Sequence, residues 1–211
     1  MKKWSFTTLL IILLTLLPIS QIEWNTEAEA SQTSKVNNEV ISNSASPNKT
    51  VKEKAPVSNT GFMPKVNRSY TYKPSFEDAG QKTYTASKNK SIENSVELLE
   101  EDYIGYTYIE DQQQLALGVA YSDIFFFSLS YPMKEKTTIT DTNYLYDGTT
   151  ETTPVYVEST NATVKTKAGT FRNVVVLKYP NGSKIYLAKD HGIIRITDFE
   201  GNITTELISV K

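Results

Sequence analysis

The chain carries few residues from which a catalytic group could be assembled. Its single His is His191. It is the one residue able to act as base in a Ser–His–Asp arrangement, where an imidazole takes the proton of a hydroxyl nucleophile. It stands in Asp190-His191-Gly192 between two candidate strands. Asp190 is its immediate neighbour, and successive strand side chains point opposite ways, so Asp190 is badly placed to orient the ring. No G-x-S-x-G elbow accompanies it, and His191 reads as a turn residue. Carboxylates cluster at Glu97, Glu100, Glu101 and Asp102, followed by Glu110-Asp111. Oxygen-rich clusters suit Ca²⁺, and a carboxylate pair can hydrolyse a glycoside. Asp141, Asn143 and Asp147-Gly148 have part of a calcium-loop spacing but lack the full D-x-[DN]-x-[DN]-G pattern. Both sets read as solvated acidic turns. No catalytic or metal residue is assigned, and no cofactor is expected.

Composition narrows the classes further. In 211 residues there is no Cys, which excludes a disulfide framework, a thiol nucleophile, a Cys-ligated metal and a lipid-modified cysteine. A formal charge of −2 argues against a nucleic-acid partner, which selects for basic excess. Tyr is abundant, at 13 residues. Tyr103, Tyr106, Tyr108, Tyr121 and Tyr131 are the candidate ligand-binding residues. On a curved sheet they could line the concave side and take an apolar ligand or a partner protein.

The elements that must position these residues begin after an export signal. Lys2 and Lys3 precede an apolar run from Phe6 to Ile19, and Ala28-Glu29-Ala30 supplies the small residues a signal peptidase reads. The expected signal peptide is 1–30, with the membrane engaged only through it before cleavage. Both Trp residues, Trp4 and Trp24, fall within it. Residues 31–65 are rich in Ser, Asn, Thr, Lys and Pro and read as a disordered linker, with too little apolar surface to offset ordering entropy. Residues 66–211 then form one all-β globular domain. A cysteine-free exported chain of this Lys/Asn/Ser/Thr-rich composition reads as bacterial, of the Gram-positive kind, secreted or extracellular and able to associate with the cell wall.

The final third is punctuated most clearly. Strands are expected over Asn161 to Thr166, Phe171 to Tyr179, Lys184 to Ala188, Ile193 to Phe199 and Ile203 to Val210. Between them lie Lys167-Ala168-Gly169, Pro180-Asn181-Gly182, Asp190-His191-Gly192 and Glu200-Gly201-Asn202, all turn sequences. Further strands are expected over Tyr103 to Ile109, Leu115 to Tyr121 and Ile124 to Tyr131, with Arg68 to Phe76 as a first strand. Phe125, Phe126 and Phe127 cannot all lie on one face, so at least one must be covered from the other side. Ser91 to Glu101 fits a short helix or a strand, the strand slightly better. The fold expected is a curved antiparallel meander sheet or half-barrel with at most one short helix.

Several of these pieces resemble a recurring, uncharacterised module of secreted and envelope bacterial proteins. They are Tyr131-Pro132-Met133-Lys134, the V-x-T-x-A-G-T-F run from Val164 to Phe171, Tyr186-Leu187-Ala188 through Gly192-Ile193-Ile194, and Glu206-Leu207-Ile208. The resemblance implies a curved antiparallel sheet, as in half-barrel carriers, and an envelope address. It implies no activity. The function expected is non-enzymatic binding of a lipid, an apolar ligand or a cell-wall or extracellular partner. The alternatives are an extracellular hydrolase using carboxylates or His191, and a structural matrix protein.

Overall fold

The computed structural model describes residues 60–211 apart from Asp102, Tyr121, Asp123 and Tyr146. The expected signal peptide and all but the end of the expected linker lie outside the described residues. Twelve strands follow in order: β1 (Arg68–Tyr72), β2 (Lys82–Lys88), β3 (Ser95–Glu100), β4 (Tyr103–Glu110), β5 (Gln114–Val119) and β6 (Phe125–Ser130), then β7 (Thr138–Tyr144), β8 (Thr150–Thr166), β9 (Gly169–Lys178), β10 (Lys184–Ala188), β11 (Gly192–Thr197) and β12 (Ile203–Val210). There is no helix among the described residues, and the stretch that could have held one is β3. Each strand pairs antiparallel with its sequence neighbours, and β1 also pairs with β12. The meander expected from the sequence thus closes completely into a barrel instead of ending as a half-barrel.

Alternation explains which side chains go inside. Tyr70 and Tyr72 on β1, Tyr84 and Ala86 on β2, and Tyr106 and Tyr108 on β4 are two residues apart and all buried. Leu115, Leu117, Phe127, Leu129, Val155 and Val157 continue the pattern round the ring. These residues and the buried positions of β9 to β12 form one apolar cluster.

The run of three Phe is resolved by a bulge. Leu117 pairs with Phe127 and Gly118 with Phe125, which leaves Phe126 as the extra residue. Phe127 enters the core. Phe125 lies over Gly118, where a side chain would already be in contact with its ring. Phe126 stays at the rim against Phe76 and Tyr106, with ring centroids 6.2 and 5.5 Å away.

Closure gives the barrel two distinct ends. The connections after odd-numbered strands (β1–β2, β3–β4 and so on) share one end, here called distal. The even-to-odd connections share the proximal end with the segment that leads into β1. Each mouth has a phenylalanine stopper. At the distal mouth the 73–81 loop places Phe76 against Tyr72, Tyr84 and Tyr106 at 4.6, 5.9 and 5.1 Å. At the proximal mouth Phe62 is 1% exposed. The linker expected to reach residue 65 therefore yields its last residues, 61–65, to the barrel. Backbone bonds from Asp190 N–H to Gly61 O (2.8 Å) and from Lys65 N–H to Asp190 O (3.0 Å) strap this segment down.

Candidate functional site

The candidate tyrosines do not form one surface. Tyr106 and Tyr108 are interior side chains of β4. Tyr103, on the same strand, stands at the distal rim with 80% of its surface exposed. Tyr131 lies at the proximal end and donates to Glu110 Oε1 at 2.5 Å. Tyr121 lies outside the described residues. Burial and the Glu110 carboxylate both push the Tyr131 phenol far above its ordinary value. That Glu110 oxygen also accepts the Gly61 and Phe62 N–H groups at 2.9 and 3.1 Å. This tyrosine and carboxylate therefore hold the strap.

His191 is held structurally. Its Nδ1 bonds the Lys189 carbonyl oxygen at 2.7 Å. Its ring packs edge-on to Phe171 and Tyr70, at 5.0 and 6.3 Å. The acidic clusters are likewise engaged in turns and ion pairs. Glu100 meets Lys82 at 3.1 Å, Asp111 accepts the Gln113 and Gln114 N–H groups, and Asp147 accepts from Thr149. Among the described residues no three His, Asp or Glu side chains converge to hold a metal.

Two surfaces that the sequence did not single out emerge once strands are assigned to ends. At the distal end Tyr103, Ile124, Phe126, Tyr144, Phe199 and Ile203 leave much of their surface in water, Phe199 70% of it. Phe125 and Tyr144 touch edge-on at 6.3 Å. The described connections at this end carry Glu77, Asp78, Glu101, Asp147, Asp198 and Glu200 against one basic residue, Lys73, with Lys82, Lys178 and Lys184 close by on the strands. Several of these carboxylates are held ionised. The bond from Lys82 lowers the Glu77 carboxyl, that from Thr149 lowers Asp147, and that from Asn202 lowers Asp198. Phe199, Glu200 and Tyr186 line an open groove of about 320 Å³ on this rim.

The proximal end has the opposite character. Lys65, Lys90, Lys134, Lys136, Lys167 and Lys189 lie in its connections, with Arg68, Lys88 and Arg172 close by on the strands. Its acids are Glu93, Asp111, Glu135, Asp190 and the buried Glu110. Of these cations only Lys65 takes part in an ion pair among the described residues, with Asp190 at 3.1 Å. The large apolar side chains exposed in these described connections are Val66 and Ile92. Between the strap and the end of β2 lies a groove of about 580 Å³, lined by Val66, Asn67, Ser87, Lys88, Asn89 and Lys90.

No family model, no curated protein and no solved structure matches this chain. The class of protein is therefore defined by its fold alone, a closed twelve-stranded antiparallel meander barrel with an apolar core.

Proposed function

We infer that this is a secreted, non-enzymatic binding module that presents the distal end of its barrel to an envelope or extracellular partner. The observation that carries the reading is the gathering of Tyr103, Ile124, Phe126, Tyr144, Phe199 and Ile203, all exposed, at one end. Stranded apolar surface of this kind marks interaction sites, and aromatic residues dominate the buried centres of interfaces. The acidic residues interleaved with them define the occupant as a protein surface that sets Lys or Arg beside apolar side chains, because like charge is rejected at close range. Export rests on the Lys2-Lys3, apolar run and Ala28-Glu29-Ala30 pattern.

The test is photo-crosslinking from positions 103 and 199 of the purified chain in envelope and culture-medium fractions. The expected outcome is one shared crosslinked protein, lost in a Tyr103→Ser/Phe199→Ser variant that melts like the parent. Crosslinks that survive in that variant, or none from either position, would end the reading.

A further inference from the structure

We propose that the proximal end binds a linear phosphate polyanion, seated in the groove between the strap and the end of β2. The site is independent of the distal surface. It starts from the 580 Å³ groove lined by Val66–Asn67 on one side and Ser87–Lys90 on the other. Lys88 and Lys90 are exposed at its lip, and Arg68 follows Asn67 on β1, paired with Ala86 on β2. None of the three cations has an ion-pair partner among the described residues. The turn that holds Lys90 is fixed from within: Asn89 Oδ1 accepts the Ser91 and Ile92 N–H groups at 2.7 and 2.9 Å. Glu93 is the one carboxylate of that turn, and Glu97 on β3 is the cross-strand partner of Ser87. Unpaired cations crowded on one lip repel each other, and a chain of phosphates relieves that repulsion while releasing its own counterions.

The two ends together decide among polyanions. A protein that lies on an anionic bilayer carries its Lys and Arg beside its aromatic anchors. Here they are at opposite ends, and the aromatic end is acidic, so a bilayer would repel the side that could insert. A nucleic acid without sequence preference is gripped by stacking on aromatic rings. The large apolar side chains exposed in the described proximal connections, where the groove lies, are aliphatic, Val66 and Ile92. A phosphate chain without bases fits what is present.

The experiment is calorimetric titration of the purified full chain with long-chain inorganic polyphosphate. Binding is expected to weaken about ten-fold or more between 50 and 300 mM salt. Lys88→Glu/Lys90→Glu should cost about ten-fold or more, because each lost phosphate contact weakens binding and the new charge repels. Lys165→Glu/Lys167→Glu makes the same change in net charge across the same end and should cost about three-fold or less. All four positions are exposed, and thermal melts verify the fold. Equal loss in the two variants would overturn the groove as the site. Tighter binding to oligo-dT of matched charge, or to phosphatidylglycerol vesicles, would transfer the end to nucleic acid or membrane and overturn the proposal. So would concentration-dependent self-assembly that Lys88→Glu/Lys90→Glu abolishes, since the anion would then be the acidic end of a second copy.

Discussion

The Tyr108 hydroxyl accepts the Ile193 N–H at 3.1 Å, reaching from β4 to β11 through the lumen. The two strands are five steps apart round the ring. The Tyr72 hydroxyl donates to the carbonyl of the same Ile193 at 3.0 Å. Both tyrosines are fully buried. Ile193 sits where the β10–β11 register shifts, so phenols on far strands take up backbone groups there. Tyr108→Phe leaves a buried N–H unpaired and should cost about 1–3 kcal/mol. Tyr84→Phe removes a buried hydroxyl that has the Tyr106 phenol beside it and no well-formed hydrogen bond among the described residues, and it should cost less than Tyr108→Phe. Urea denaturation of the two variants gives the comparison directly.

Gly192 completes the same contact. Its φ is +70°, and a Cβ there would stand 2.6 Å from the Tyr108 hydroxyl oxygen and 3.3 Å from Pro64 of the strap. Gly192→Ala should destabilise by about 1–3 kcal/mol from backbone strain alone, with the clash in addition. Combining it with Tyr108→Phe should cost less than the sum of the single changes, because the shorter ring end frees part of the space. A double-mutant cycle measures the difference.

The barrel has one lightly laced seam. β6 and β7 share the single register pair Leu129 with Asp141. The Asp141 carboxylate replaces missing ladder bonds, with Oδ1 accepting the Ser128 N–H at 2.7 Å and Oδ2 the Tyr179 hydroxyl at 2.8 Å. Asp141→Ala should cost about 2–3 kcal/mol, in the range of lost bonds to a charged acceptor. Hydrogen exchange at Ser128 should accelerate more than at Leu98, which lies on the doubly paired β3.

Alkaline titration should unfold the barrel. Burial pushes the phenols of Tyr72, Tyr108, Tyr131 and Tyr179 well above the ordinary value, with nearby Glu110 and Asp141 adding to the rise at Tyr131 and Tyr179. An unfolded Tyr loses its proton near pH 10. The folded state keeps these protons longer, so the unfolded chain binds fewer above that pH. The stability these groups supply is complete below about pH 10 and declines as pH rises beyond it. Absorbance of these phenolates should rise in step with the loss of strand circular dichroism. A separate earlier titration of all tyrosines with the fold intact would contradict this.

The strands of the last third could be read because Asn-Gly, His-Gly and Gly-Asn turns punctuate them. No strand is expected from the sequence at β2, β7 or the first part of β8. KTYTASK and TITDTNY alternate, but their buried rows are short and interleaved with Lys, Thr and Asp, which read as loop. Closure could not be read, since it depends on Tyr70 meeting Val210 across nearly the whole domain. Phe62 was lost in a polar stretch because Glu110, which accepts its N–H, and Asp190, which bonds Gly61 and Lys65, are also far away in sequence. The exposed rim was hidden for another reason: Tyr103 and Tyr106 look alike in sequence, and only strand ends separate a core ring from a surface one. The charge segregation becomes visible once alternate turns are assigned to alternate ends.

The pairing of β1 with β12 has a topological consequence. Ser69 and Lys211 exchange both backbone bonds, at 2.9 and 3.0 Å. As a hydrogen-bonded object the barrel is a ring in which no strand is first or last. A circular permutant that joins these neighbours through a short linker and opens in the exposed Asp147-Gly148 turn would keep every ladder, although the strap would then have to return as an insertion.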